Sequence, residues 1–218
     1  MTDTRPPFPP APTLEAVAAR AKVSRATASR VLRGAANVSN HARIAVEAAA
    51  EELSYTPNRL ARSLVTGRSD SVAFYVDEPE DRMFADPYFL GVLRGTQTAI
   101  AGAGMQLIFS VASTPEDHER FVRYAAGRHV DGVLLLSLHG ATHLPEQLER
   151  NRIPTVLSGR PLVGGATLYF VDADNLGGAS MGTRHLLDTG RRCVASVTGP
   201  QDMCAGQDRL AGFVEVFA

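Results

Sequence analysis

The residues best suited to chemistry in this chain form a basic helix surface over residues 23–33. Ser24 is predicted to cap this helix by accepting hydrogen bonds from the free backbone N–H groups of its first turn. Ala28, Val31 and Leu32 recur at helical spacing and are predicted to pack inward. The opposite face carries mainly polar and cationic side chains: Arg25, Ala26, Ser29, Arg30 and Arg33. Because an arginine fork fits guanine O6 and N7 or phosphate oxygens, this face is predicted to enter the major groove of DNA.

Two further helices are predicted to position this surface. Thr13 caps an apolar helix over residues 14–21, and Lys22 with Val23 leaves room only for a tight turn before the basic helix. A third helix is predicted over residues 41–53, with Ser39 as its cap. A short helix, a tight turn and a second helix with a polar N-terminus form the helix-turn-helix arrangement. Taken alone, a helix rich in Ala and Arg is equally well explained as a solvated surface helix, so the spacing of the neighbours decides the prediction.

The spacing through these helices resembles the DNA-binding headpiece of the lactose/galactose repressor (LacI/GalR) family. The motifs that carry the resemblance are residues 13–18, Val23 and Ser24 with Thr27, residues 29–32, Val38 and Ser39 with Arg43, and Tyr55 with Pro57 and Asn58. The resemblance implies that the residues at Arg25 and Ala26 vary with the operator sequence, and that Arg30 helps to read or clamp a half-site. Arg33 stands where members often carry Asn.

The resemblance implies DNA contacts over both the headpiece and the hinge that follows it. The implied set is Thr13, Leu14, Ser24, Arg25, Ala26, Thr27, Ser29, Arg30, Asn37, Ser39, Arg43, Tyr55, Asn58, Ala61 and Leu64. In the implied homodimer, two copies of Leu64 wedge into the minor groove and kink the DNA. Without the resemblance, Leu64 is better explained as a core or linker leucine. The implied function is a transcription regulator of the repressor type, acting on a pseudo-palindromic operator in double-stranded DNA.

Composition separates a basic head from an acidic body. Residues 1–68 hold ten Arg or Lys against five Asp or Glu, and the remainder holds twelve against eighteen, which gives the overall charge of −1. An excess of basic residues confined to residues 1–68 suits contact between that part of the chain and phosphate. The sequence shows no apolar run long enough to span a membrane and no signal peptide, and Cys193 and Cys204 lack metal-ligand spacing. These features predict a cytoplasmic protein with reduced thiols and neither cofactor nor metal.

From residue 69 onward, predicted strands alternate with predicted helices. Strands are predicted over residues 72–76, 105–111, 130–136, 154–158, 169–171 and 193–197, and helices over residues 89–103, 115–127, 143–151, 175–189 and 205–217. This alternation predicts parallel sheets covered by helices on both faces, with ligands at the carboxyl ends of the strands.

The body also resembles the same family, whose effector domain has a periplasmic-binding-protein-like fold of two α/β lobes around a cleft. The matching segments are residues 86–89 with Gly95, 130–133, 153–161, 171–175 with Gly178, 189–191, 198–200 and 208–213. Strand-end residues are the effector candidates: Asp77, Tyr88, Phe89, Arg160, Asp172 and Arg209. Carboxylates, arginine forks and an aromatic platform suit a carbohydrate. The resemblance implies that Arg209 contacts sugar, although Gln207 stands where a second Arg is usual.

The predicted organisation has five parts: a disordered tail (1–12), the helix-turn-helix domain (13–57), a hinge helix or linker (58–68), the first effector lobe (69–160) and part of the second lobe (161–218). Family members continue well beyond residue 218, so the resemblance implies a fragment or a truncated product. Effector binding and dimerisation by these residues alone therefore stay open.

Three other interpretations of the function are alternatives to a transcription regulator. A solute-binding module without DNA function would explain the body but not the headpiece. A truncated remnant would fold its headpiece but fail to pair. An enzyme is disfavoured because no nucleophile–base set stands out, the six histidines show no metal spacing, and the glycine pairs lack a phosphate-loop context. Asp77 and Asp172 are equally well explained as loop or capping carboxylates, and Asp174 with Asn175 better as a helix cap.

Overall fold

A computed structural model describes residues 11–56, 63, 67–140, 142–163 and 168–218 of the chain. The chain divides into two compact units, Met1–Thr66 and Gly67–Ala218. Throughout the described ranges, each helix is too short or too polar to cross a lipid bilayer.

Three helices of the first unit lie entirely within the described residues, and each begins where its cap was predicted. They are α1 (Leu14–Arg20), α2 (Arg25–Leu32) and α3 (Asn40–Glu52). The hydroxyls of Thr13, Ser24 and Ser39 accept hydrogen bonds from the backbone N–H three residues further on, at 3.2, 3.1 and 3.3 Å. Each bond satisfies one of the N–H groups that a helix start leaves without a partner. The three predicted caps are confirmed.

The helices of the first unit enclose a small core of their own. Val17, Ala28 and Val46 are each fully buried, and they come from α1, α2 and α3 respectively. Lys22 takes a left-handed backbone conformation with φ 53°, which reverses the chain between α1 and α2. The predicted inward face of the basic helix is confirmed by Ala28 and Val31, which are 0% and 4% exposed. This packing leaves the cationic side of α2 facing outward.

The second unit is an α/β structure built on one parallel sheet. Its elements are β1 (Ser71–Asp77), α4 (Glu80–Ala85), α5 (Pro87–Gly102), β2 (Gln106–Ala112), α6 (Pro115–Ala126), β3 (Gly132–Leu136), α7 (Leu144–Arg150), β4 (Thr155–Ser158), β5 (Tyr169–Val171), α8 (Asn175–Asp188) and α9 (Cys204–Glu215). The strands pair in the order β2-β1-β3-β4-β5, and every pairing is parallel. The short helix α4 was not predicted from the sequence.

Side chains that alternate along β1 fill two cores, one on each face of the sheet. Phe74 packs with Met83 of α4 and Phe89 of α5 on one face. Tyr75 packs on the other face with Phe121 of α6, their ring centroids 4.2 Å apart. Successive residues of a strand point to opposite faces, which is why neighbours in sequence enter different cores.

Two strand predictions need correction or relocation. Residues 191–200 carry no regular secondary structure, so the strand predicted over residues 193–197 is wrong. None of the described strands forms ladder hydrogen bonds with this segment, and Val197 is fully exposed. The strand β5, which the sequence placed in the second lobe, pairs with β4 in the sheet of the first.

Asp131 fastens the first residues of the second unit to the sheet. One carboxylate oxygen accepts from the backbone N–H and the hydroxyl of Ser69, at 2.8 and 3.2 Å. The other accepts from the backbone N–H of Asp70 at 2.9 Å. Three donors therefore converge on one carboxylate, two or three residues into the unit that begins at Gly67.

Replacing Tyr75 with Phe is expected to stabilise the second unit. The side chain is fully buried, and among the described residues no polar atom accepts or donates a hydrogen bond at its hydroxyl. Burial, with the Asp77 and Asp117 carboxylates nearby, raises the pKa of this hydroxyl well above its usual range. Removing a buried polar group that lacks a partner should raise the free energy of unfolding by about 1 kcal/mol, or Tm by about 2–4 °C.

Calorimetry on the two variants Tyr75→Phe and Tyr88→Phe checks this prediction. The Tyr88 hydroxyl lies 2.8 Å from Ser158 Oγ, so its removal loses a hydrogen bond and should give no gain in stability. A lower Tm for Tyr75→Phe than for the unmodified chain would contradict the prediction.

Candidate DNA-binding surface and effector cleft

Arg25 lies on the exposed face of α2, in its first turn, and forms an ion pair with Glu15 of α1. Arg25 Nε lies 2.6 Å from Glu15 Oε1, and both side chains are largely exposed, at 71% and 61%. The pair joins the first turn of α1 to the first turn of α2. An ion pair this exposed contributes little to stability. The contact holds the Arg25 guanidinium through Nε, and no group among the described residues pairs with its terminal N–H groups.

Two more arginines on α2 and its C-cap lie back along their own helix. Arg30 Nε donates to the carbonyl of Ala26 at 3.4 Å, and Arg33 Nε donates to the carbonyl of Ser29 at 3.1 Å. Both residues are exposed. Together with Arg25 they give α2 three cations and no carboxylate of its own. A helix of this length with a cationic face fits the width of the major groove and the geometry of base edges or phosphates.

The other predicted DNA residues fall into three groups. Thr13, Ser24, Ala26, Asn37 and Ser39 are exposed, whereas Leu14, Thr27, Ser29, Arg43 and Tyr55 are half-buried. Leu14 and Tyr55 pack against the core of the first unit, which makes their role there at least partly structural. Arg43 donates to the carbonyl of Ala35 at 3.1 Å. Asn58, Ala61 and Leu64 lie outside the described residues, so their predicted roles stay predictions.

In the second unit, the carboxyl ends of β1 and β4 gather several of the predicted effector residues. Asp77, the last residue of β1, lies 3.1 Å from His118 Nε2 on α6. Burial raises the pKa of the Asp77 carboxyl, and His118 partly offsets this. Tyr88 is 54% exposed, whereas Phe89 is 3% exposed and stands edge-on to it with ring centroids 5.4 Å apart. Tyr88 is thus the available platform, and the Phe89 ring belongs to the core beneath it.

Arg160, Asp172 and Arg209 are brought together through the start of α8. Arg160 pairs with Asp208 of α9, and its Nε lies 3.6 Å from an Asp172 carboxylate oxygen. Asn175 links Asp172 to Arg209. Its side-chain Nδ2 donates to Asp172 at 3.1 Å, and its side-chain Oδ1 accepts from Arg209 Nε at 2.9 Å. The arrangement alternates acidic and basic groups near the end of β5, and such groups can donate to and accept from hydroxyls.

The predicted cap of the helix after β5 is confirmed. Asp174 Oδ1 accepts from the backbone N–H of Gly177 at 2.8 Å, so this carboxylate is occupied at the start of α8.

A polar cluster that sequence reasoning missed lies at the carboxyl ends of β1 and β3. Glu78 is 2% exposed and accepts from the hydroxyl of Ser137, and its second oxygen lies 3.4 Å from Arg82 Nη1. His139 Nε2 lies 3.1 Å from Glu78 Oε1, and its Nδ1 lies 3.0 Å from Asp202 Oδ2. Glu78, Ser137 and His139 lie within three positions of the ends of predicted strands, which is a usable signal. The pairing with Asp202, more than sixty positions away, leaves no sequence signal.

Both units of the chain are similar to known proteins. Residues 13–58 match the family model described as bacterial regulatory proteins, lacI family. The chain is 47% identical over 205 residues to the HTH-type transcriptional regulator CelR of Thermobifida fusca, covering 94% of this chain and 60% of that protein. The solved transcriptional regulator CelR–cellobiose complex is 44% identical, with a TM-score of 0.66 over 94% of this chain and 61% of that one.

A second solved structure establishes the architecture. The lac repressor dimer bound to operator and the anti-inducer ONPF aligns over 95% of this chain and 62% of its own, with a TM-score of 0.80 at 24% identity. The predicted fold class is therefore confirmed: a helix-turn-helix headpiece followed by a periplasmic-binding-protein-like α/β domain, of which part is present. The chain spans about three fifths of the length of these relatives.

Proposed function

Because residues 13–58 match the family model described as bacterial regulatory proteins, lacI family, we propose that this chain is the DNA-binding part of a transcription regulator of the repressor type, joined to its first effector lobe and part of the second. The single observation that supports this best is the outward face of α2, where Arg25, Arg30 and Arg33 stand clear of the core beneath. Relatives that match the chain are transcriptional regulators rather than enzymes, CelR of Thermobifida fusca among them.

Recognition on this proposal begins with electrostatics and ends with base contacts. Residues 1–68 carry an excess of basic residues, which would attract the phosphate backbone and release counterions as contacts form. The N-terminus of α2 would then face the base edges, with the Arg25 fork already oriented by Glu15. Backbone contacts set the register, and the arginine contacts to guanine supply the sequence preference.

A homodimer is the proposed binding form. One helix-turn-helix module covers only a half-site, so two copies related by a two-fold axis would read a pseudo-palindrome whose half-sites lie about one helical turn apart. The minor-groove wedge predicted for Leu64 belongs to this proposal. Because operator DNA lies in the cytoplasm, so would the regulator.

The proposed effector is a small carbohydrate, bound near Tyr88, Arg160 and Arg209. Support comes from the alternating carboxylate and arginine groups at the strand ends and from the exposed Tyr88 ring. The solved CelR structure that matches this chain contains cellobiose, which makes cello-oligosaccharides the first class to test. Effector binding and DNA binding would be linked through two conformations with different affinity for each ligand.

Selection of bound duplexes from a random pool, at moderate salt, tests the regulator directly. We expect enrichment of a two-fold-symmetric site, and we expect an Arg25→Ala, Arg30→Ala double variant to lose that enrichment. If the folded chain recovers only duplexes of unrelated sequence, it binds DNA without sequence preference, and the proposal of a specific operator is wrong. Cellobiose binding without any DNA enrichment would instead favour a solute-binding module.

A further inference from the structure

His139 stands between two carboxylates that come from distant parts of the chain. Its Nε2 lies 3.1 Å from Glu78 Oε1 and its Nδ1 lies 3.0 Å from Asp202 Oδ2. Glu78 follows the carboxyl end of β1, whereas Asp202 lies in the segment before α9. The backbone N–H of Gly140 adds a second bridge, donating to the carbonyl of Asp202 at 2.9 Å. The His139 imidazole and the Gly140 amide thus connect the carboxyl ends of β1 and β3 to the segment that contains Asp202.

The geometry fits a ring that carries one proton more than a neutral imidazole. A neutral ring has one N–H donor, so its other nitrogen would direct a lone pair at a carboxylate oxygen, whereas an imidazolium donates at both positions. Glu78 already accepts from Ser137, and Arg82 lies 3.4 Å from its other oxygen, so both Glu78 oxygens face donors. Asp202 is half exposed, so water can also donate to its carboxyl group. The extra proton therefore belongs on His139.

We propose that His139 is a protonation latch: as an imidazolium it holds the segment around Asp202 against the carboxyl edge of the sheet, and its deprotonation releases that segment. Two salt-bridging hydrogen bonds close the latch. Loss of one proton leaves a single donor for two acceptors, so at least one carboxylate must turn to water or find another partner.

The charged groups around the ring agree with this direction. His139 faces Glu78 and Asp77 at the end of β1, and Asp202 before α9, with Arg82 of α4 reached through Glu78. Burial lowers the pKa of His139, but the hydrogen bonds to Glu78 and Asp202 outweigh it, and the pKa is raised above its usual value. A raised histidine pKa stabilises the latched form fully below about pH 6.5, and that contribution is lost as pH rises through the folded value.

The latch lies at the same edge of the sheet as Asp77, Tyr88 and Ser158, where the effector is proposed to bind. A ligand that needs the Asp202 segment held close would bind with uptake of a proton, and one that needs it open would bind with release. This consequence rests on the proposed function. The latch itself does not, and it can be tested without DNA or sugar.

Histidine titration by NMR on the full chain is the first test. The His139 resonance is assigned by its loss in His139→Gln, and we expect it to titrate above the usual histidine range. In Asp202→Asn, which removes one carboxylate at an exposed position, the titration should move down toward that range. His143→Gln, at a 78% exposed histidine, is the matched control and should leave His139 unchanged. An unchanged His139 titration in Asp202→Asn would overturn the proposal.

Hydrogen exchange at the Gly140 amide is the second test, because this N–H bonds to the Asp202 segment. After correction for intrinsic exchange, we expect its protection to fall about tenfold between about pH 5.5 and pH 8.5, on either side of the histidine range. In His139→Gln the protection should no longer depend on pH. Equal pH dependence in the unmodified chain and in His139→Gln would show that another group controls the segment, and the latch would be rejected.

Discussion

Replacing Arg25 with alanine is expected to weaken binding to the selected operator far more than binding to random duplex. A bidentate arginine–guanine contact contributes about 1–3 kcal/mol of discrimination, so a dimer using two copies should lose about 2–6 kcal/mol. That loss is roughly 30-fold to more than 10⁴-fold in affinity for the operator. The physical reason is that Arg25 presents a planar fork, oriented by Glu15 at 2.6 Å, whereas nonspecific binding depends on total charge. Fluorescence anisotropy with labelled operator and random duplex measures both affinities.

Three further variants separate base reading from charge. Arg25→Lys keeps the charge but not the fork, so specificity should fall while the salt dependence is kept. Glu15→Gln removes the carboxylate that orients Arg25, so nonspecific affinity should rise and the ratio of specific to nonspecific affinity should fall. Arg150→Ala removes an exposed arginine from the second unit and should change neither affinity. Equal losses on operator and random duplex for Arg25→Ala would show that Arg25 contacts only phosphate.

Replacing Asp131 with alanine is expected to be the most destabilising exchange of a half-buried residue in the second unit. It removes the acceptor for three donors on Ser69 and Asp70, at 2.8, 3.2 and 2.9 Å. Hydrogen bonds to a charged acceptor contribute about 1.5–3 kcal/mol each but are not additive, so we expect a loss of about 3 kcal/mol. For a unit of this size that corresponds to a fall in Tm of about 6–12 °C.

Calorimetry supplies the control for Asp131 within a single experiment. The two units have separate cores, so only the transition of the second unit should move. Asp131→Asn keeps one oxygen acceptor and should lose less than the alanine variant, and the exposed Asp188→Ala should lose almost nothing. A transition that stays in place in Asp131→Ala would show that Ser69 and Asp70 are held by other contacts.

Local signals explain why so much of the headpiece could be predicted. A helix cap depends on a hydroxyl and an N–H three residues apart. The capping hydrogen bonds of Thr13, Ser24 and Ser39 can therefore be predicted from the local sequence. The apolar spacing of Ala28 and Val31 likewise depends only on the pitch of one helix. In the body, the alternation of strand and helix predicted the parallel sheet for the same reason.

The failures depend on partners that are remote in sequence. A strand exists only if another strand supplies its hydrogen bonds, and the apolar run at 193–197 has no such neighbour among the described residues. Tyr88 and Phe89 are adjacent and similar, yet one is exposed and the other is core, because the helix turns one toward the sheet. The contact of His139 with Asp202 joins two loops, and no periodicity connects them.

The separate cores also bear on how such proteins can be recombined. Among the described residues, the core of the first unit draws on residues between Leu14 and Tyr55, and the cores of the second draw on residues between Ala73 and Leu168. A crossover at the boundary between Thr66 and Gly67 therefore breaks no contact within any of these cores. An exchange of the headpiece would carry the proposed DNA-reading surface with it and leave the proposed effector residues in place. Ser69, Asp70 and Asp131 all lie on the body side of that boundary, so the exchange also leaves their hydrogen bonds in place.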